Sequence, residues 1–138
     1  MANPRRPNEF LTEPYSYPWE HPANADGGSV EEKLDVLTRR VKITRVKYVN
    51  KTGLAEHAAN FATLQVKNGA TVVASWTTDS GSSASDVSIP ADTFIELTLA
   101  TDDADLIFAA GDVLSFVVAE AGTTTVPAGR VVIEGIYI

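Results

Sequence analysis

Two histidines, His21 and His57, and no cysteine are all that this chain offers as soft metal ligands or as imidazole bases. Neither histidine has a second ligand at i+2 or i+4, the spacings that put two ligands on one face of a strand or helix, so the sequence points to no zinc site. A serine nucleophile needs a base and an oxyanion hole. No Gly-x-Ser-x-Gly elbow occurs, and Gly81-Ser82-Ser83 reads as a polar loop. No Gly-rich loop lies between a strand and a helix, so no phosphate cradle is expected. Asp102, Asp103 and Asp105 form the tightest acidic cluster. Calcium takes six to eight oxygens, and the EF-hand spacing with its distant glutamate is missing, so the cluster reads as a solvated turn. Paired carboxylates for glycoside hydrolysis converge in space rather than in sequence, and the nine acids between Asn68 and Gly129 single out no pair. Trp19 and Trp76 have the chemistry to stack on sugars, but a tryptophan ending a hairpin strand reads first as core. The expectation is a chain with no catalytic residue, no cofactor and no metal, and not an enzyme.

Charge narrows the partners. The net charge is -7, yet seven of the eleven basic residues lie between Lys33 and Lys51. From Asn68 to Gly129 there is no basic residue at all. A nucleic-acid binder needs a positive surface to displace counterions from phosphates, and the acidic stretch opposes that. No nucleic acid is expected as partner. The basic and acidic regions are expected to complement one another, within the fold or between copies. No apolar run reaches the roughly 18 residues of a membrane span, and Met1-Ala2-Asn3-Pro4-Arg5-Arg6 is followed by no apolar stretch of the secretory type. No membrane association is expected. The chain is expected to stay where it is made unless it leaves as part of a particle.

What positions such a surface is read from the chain's patterning. With 138 residues, 44% of them apolar, there is enough for one core. Five of the seven prolines stand at positions 4, 7, 14, 18 and 22. They imply a polyproline-like or irregular leader. That leader carries Phe10, Leu11, Tyr15, Tyr17 and Trp19, and aromatics suit an arm that lies along a partner. A tail folded back on its own domain is the competing reading. Ser29 with Glu32 has capping-box spacing, and Val30, Leu34, Leu37 and Val41 follow at helical intervals, predicting a short helix from Val30 to about Thr38. A strand through Leu34 and Val36 competes with it.

Beyond Arg40 the pattern is β. Val41 and Ile43 alternate on one phase and Val46 and Tyr48 on the other, so a β-bulge is expected at Thr44-Arg45. Asn68-Gly69 between two strand-like runs predicts a hairpin with a type I′ turn. Short strands follow at Val87–Ile89, Ile95–Leu99, Leu106–Phe108, Val113–Ala119 and Val131–Ile138. The fold expected is all-β: an antiparallel β-sandwich, jelly-roll-like, of about eight strands, with an extended N-terminal arm. Residues 1–40 are read as arm and linker, and 41–138 as the sandwich.

The last strand is apolar on both faces. Val131, Ile133 and Tyr137 lie on one, Val132, Ile136 and Ile138 on the other, and the second face needs a cover such as another subunit or the arm. Four stretches stand out: Arg45-Val46-Lys47-Tyr48-Val49, Phe61-Ala62-Thr63-Leu64-Gln65-Val66, Ala109-Ala110-Gly111-Asp112-Val113-Leu114-Ser115-Phe116 and Val126-Pro127-Ala128-Gly129 before an apolar strand. Through them the chain from Arg45 to Ile138 resembles the small β-sandwich head decoration, or cement, proteins of tailed bacteriophages. It implies a jelly roll, often a homotrimer, on the capsid exterior of a virion assembled in the host cytoplasm. Its partners are then the major capsid protein and copies of itself. The interface residues expected are Phe10, Leu11, Tyr15, Tyr17, Trp19, Arg39, Arg40, Ile136 and Ile138. Removing residues 1–28 is expected to leave a folded domain. The alternative function is a carbohydrate- or receptor-binding module on a virion or cell surface.

Overall fold

Residues 14–21 read Pro-Tyr-Ser-Tyr-Pro-Trp-Glu-His, with rings at every odd position and proline or polar residues at every even one. That is strand periodicity. In the computed structural model, which describes residues 13–24, 28–81 and 88–138, this segment is strand β1, Pro14–His21. It pairs antiparallel with the last strand, β10 (Gly129–Tyr137), from Pro14 opposite Ile136 to His21 opposite Gly129. Phe10 and Leu11, Asp26-Gly27, and the Ser82–Val87 part of the polar loop and short strand lie outside the described residues.

The other elements are β2 (Ser29–Val36), β3 (Val41–Asn50), β4 (Ala62–Asn68), β5 (Thr71–Thr77), the two-residue strands β6 (Ile95–Glu96), β7 (Thr98–Leu99) and β8 (Ile107–Phe108), and β9 (Val113–Glu120). One sheet runs β1-β10-β3-β6, with β8 also on β3; the other runs β2-β9-β4-β5-β7. Apart from the β4–β5 hairpin, the chain crosses from one sheet to the other at each long strand. With β6 and β8 sharing one position and the two-residue β7 added at the edge beyond β5, this is the strand order of an eight-stranded jelly roll, so the expected all-β sandwich is the fold found.

Two expectations about the first forty residues are corrected. The 1–40 arm does not end at the sandwich: β1 and β2 are strands of its two sheets, so the body begins near Pro14. The helix predicted at Val30–Thr38 is strand β2, paired with β9 from Ser29 opposite Ala119 to Val36 opposite Val113. Tertiary pairing overrides the local capping signal, because a helix here would leave β9 without its outer neighbour.

The prolines follow from the pairing. Backbone groups of one parity in β1 face β10, and those of the other parity face away. The Glu13 carbonyl accepts from the Tyr137 N–H at 3.0 Å, which puts the odd residues toward β10. Pro14 and Pro18 therefore stand where an N–H would face solvent, the one place an edge strand tolerates them. They also remove donors that a foreign strand would need.

The bulge expected at Thr44-Arg45 is present. In the β10–β3 ladder Glu134 is opposite Arg45 and Gly135 opposite Ile43, so Thr44 is the extra residue. Val41 and Ile43 before it, and Val46 and Tyr48 after it, all reach the core, at 0–1% exposure. The β4–β5 hairpin is present with a different turn. Asn68 stays in the ladder opposite Thr71, leaving Gly69-Ala70 as the two-residue loop. Only Gly69 of the pair has positive φ, at 58°, which is the type II′ pattern rather than I′. Asn68 is held there because its side chain donates to Asp112 Oδ2 at 2.9 Å.

Between the sheets lie Tyr48, Phe108, Phe116, Ile43, Leu64 and Ile133, all fully buried. β10 sits between β1 and β3, so its apolar outer face is flanked on both sides: Ile136 by Pro14 and Lys42, Val132 by Pro18 and Lys47. β1 lies beside β10 in the same sheet, so its prolines flank this face without covering it. The basic residues of β3 and β10 meet acids on the outer face of this sheet: Lys42 with Asp103 (3.2 Å), Lys47 with Glu134 (3.2 Å), Arg130 with Glu20 (4.0 Å) and Arg45 with Glu96. Such exposed pairs add at most about 1 kcal/mol each, and their main effect is to neutralise the basic segment within the fold.

Candidate functional site

The two ends of the sandwich differ. At one end residues 1–12 join β1, the Leu37–Arg40 connection leaves β2, the Gly69-Ala70 and Ala109–Asp112 turns close their strands, and β10 runs out to Ile138. At the other end are the longer connections 22–28, 51–61 and 121–128.

The first end gathers Glu13, Arg39, Arg40, Tyr137 and Ile138. Arg39 pairs with Glu13 at 2.9 Å, and its guanidinium lies 4.1 Å from the centre of the Tyr137 ring. Tyr137 meets Tyr15 edge to face, centroids 5.9 Å apart. The Arg40 carbonyl accepts from the Ile138 N–H at 3.1 Å, fixing that residue with its side chain 48% exposed. Val36, which ends β2 three residues before Arg39, is 57% exposed. Two exposed aliphatics beside two arginines and a cation–π pair form a surface of the kind that protein contacts use.

The expected interface residues thus divide. Arg39, Arg40 and Ile138 are exposed or partnered at this end, and Ile136 is half-buried beside it. Tyr15 is not a surface residue: it is 7% exposed and donates its hydroxyl to Asp35 Oδ2 at 3.0 Å. Burial first, then that carboxylate, push the Tyr15 phenol well above its ordinary pKa. Tyr17 donates to the Leu34 carbonyl at 2.6 Å, and Trp19 packs on Phe116 at 6.2 Å, so both tie β1 to the facing sheet. Tyr15 is corrected from a partner contact to a fold contact, because alternation turns it inward and buries it, while Tyr17 and Trp19 face the same way but stay half-buried. Sequence reasoning missed Glu13, Val36 and Tyr137. Tyr137 is visible as the ring in the closing strand, whereas Glu13 and Val36 carry no signal until β1 is placed.

The other chemistry-bearing residues are engaged structurally. His21 is 4% exposed. Its Nδ1 donates to the Pro22 carbonyl at 2.9 Å, which leaves Nε2 of the neutral ring to accept from the Tyr48 hydroxyl at 2.7 Å. The rings of His21 and Tyr48 stack, centroids 5.5 Å apart. Gly129 lies against this bond: a Cβ there would collide with the Tyr48 hydroxyl and come within 2.8 Å of His21 Nε2, so only glycine fits. His57 Nδ1 accepts from the N–H groups of Ala59 and Asn60. Asp102 accepts from the Ala104 N–H, and Asp103 pairs with Lys42. Among the described residues no three His, Asp or Glu side chains converge as a metal site. Trp19 and Trp76 both pack against the core.

Burial holds the His21 pKa below its ordinary value, with the Pro22 bond opposing in part. Between the ordinary value of about 6.5 and the lower folded value, the unfolded chain takes up a proton that the folded chain refuses. Stability is therefore full above about pH 6.5 and falls as the pH drops toward the folded pKa. An imidazole titration followed by NMR checks this: His21 is expected to titrate below about 6.5, and a midpoint at or above that value contradicts the assignment.

The sequence matches no protein-family profile and no curated protein. Among solved structures, a chain in the structure of the Gx strain of infectious bursal disease virus aligns with 92% of this chain at 13% identity, with a TM-score of 0.37. The aligned stretch spans 33% of that longer chain. At that distance the jelly-roll assignment rests on this chain's own strand order.

Proposed function

We propose that this chain is a structural virion protein that sits on the outside of a phage capsid and braces the shell. In this reading it docks through the end where residues 1–12 leave the body, and it is not an enzyme. The observation that carries the reading is the convergence of Glu13, Arg39, Arg40, Tyr137 and Ile138 at that end of a jelly roll. Strand addition is disfavoured at the edges of both sheets. β1 lacks donors at Pro14 and Pro18, β2 carries Glu31, Glu32, Lys33 and Asp35, and β6, β7 and β8 are two residues long. Association then falls to loops, ends and the leader, as in a protein that caps a surface already built. The resemblance to head decoration proteins supports the same reading. A glycan- or receptor-binding role finds less support, since both tryptophans are packed against the core.

Co-sedimentation with capsid shells assembled without the protein tests the proposal. Arg39→Glu with Ile138→Asp is expected to weaken binding at least about tenfold, the loss of one buried contact's worth. Lys51→Glu, on an exposed residue at the other end, is expected to bind as the parent does. Equal binding by all three would count against the proposed docking end.

A further inference from the structure

Near the His21 end of β1 the two sheets gape. Trp19, His21, Val30, Glu32, Phe116 and Val118 line a cleft of about 360 Å³, part of it open to solvent. Phe116 forms the floor at 1% exposure, and Val30 stands on the rim at 41%. Much of that space is open to solvent, so the enclosed part falls below the range for ligand sites and suits an apolar side chain rather than a cofactor.

The chain holds a segment of that chemistry outside the described residues. Within residues 1–12, Phe10 and Leu11 are adjacent, and Arg5 and Arg6 precede them. Glu32 lies at the cleft and gives the opposite charge, whereas Glu31 faces the other side of β2, where it accepts from Ser115 Oγ. Reach decides whose segment it is. Phe10 is three residues from Glu13, so its backbone lies within about 11 Å of the start of β1. The cleft lies six to eight residues further along that strand, about 20–26 Å away. A chain's own Phe10-Leu11 pair falls short of its own cleft; a neighbour's does not.

We propose that the Phe10-Leu11 pair of one copy seats in the cleft between Trp19, Phe116 and Val30 of a second copy, with Arg5 and Arg6 toward Glu32. Donor and acceptor are different surfaces of the same chain, so two copies can exchange arms reciprocally, or several can link head to tail in a ring if the rotation between them closes. The inference deepens the reading of a self-associating virion protein and rests on it only for the premise that copies meet.

The full-length protein without shells provides the test, and its lack of cysteine makes cross-linking specific. Phe10→Cys and Val30→Cys proteins, mixed and treated with a short bis-maleimide, are expected to give several-fold more linked dimer than either alone. By light scattering, Val30→Glu and Phe10→Ser are each expected to weaken self-association about tenfold or more, as loss of one buried apolar anchor does. A parent protein monomeric at every concentration, or a Phe10→Cys/Val30→Cys double variant that links only within one chain, overturns the proposal. Self-association surviving in Arg39→Glu/Ile138→Asp that has lost shell binding supports the exchange, while counting against neither arm nor cleft.

Discussion

A protein lacking residues 1–24 is expected not to fold, whereas one lacking only residues 1–12 is expected to melt as the full chain does. The shorter deletion leaves every described strand pair in place. The longer one strips β1 from β10 along eight residue pairs and makes β10 an edge. It also removes Tyr15 and His21, at 7% and 4% exposure, and the Trp19 ring over Phe116. Deleting one buried aromatic side chain costs roughly 3–5 kcal/mol, and a domain of this size is stable by about 5–15 kcal/mol in all. Losses of that kind at Tyr15 and His21, a smaller one at half-buried Trp19 and the lost ladder together reach that margin. Circular dichroism melts of the two truncations check it. A cooperative melt from the 25–138 protein would return β1 to the role of a detachable arm.

Phe116→Ala is expected to cost about 3–5 kcal/mol and to lower the melting temperature by about 10–20 °C. Phe116 is 1% exposed and meets three rings from the other sheet: Trp19 at 6.2 Å, His21 at 5.9 Å and Tyr48 at 6.3 Å. It is the point at which β9 grips both β1 and β3. Removing it opens a cavity beneath all three rings. Val117, one residue along, faces the other side of its sheet, outside the main core cluster. Val117→Ala is expected to cost about 1 kcal/mol, as expected for two methyl groups on the outer side of the sheet. Equal losses at the two positions, read from denaturant midpoints, would mean that the ring cluster is not what joins the sheets there.

From Val41 onward the sandwich is legible in the sequence, because period-two alternation, Gly-rich turns and the phase change at Thr44 are local signals. The Thr44 bulge in particular needs no knowledge of its partner strand. The II′ turn does not follow, because what keeps Asn68 in the ladder is Asp112, 44 residues away. Strand β2 is obscured by a capping box that fits either state, and β9, which decides between them, lies far along the chain. The largest miss is β1. Its alternating rings are present at 15, 17, 19 and 21, but the prolines draw the reading toward a free arm. Spacing of four puts Pro14 and Pro18 on one parity, which is the mark of an edge strand rather than of a leader. The docking end is half visible: Arg39, Arg40 and Ile138 stand out, but their convergence with Glu13 depends on β1 pairing with a strand more than a hundred residues later.

Hydrogen exchange on the protein bound to capsid shells, compared with the free protein, tests the central claim most directly. The account predicts slowed exchange on binding at the amides of Leu37–Arg40 and Tyr137–Ile138, with the 51–61 and 121–128 connections unchanged. Slowing confined to those far connections, or none at either end, would contradict it.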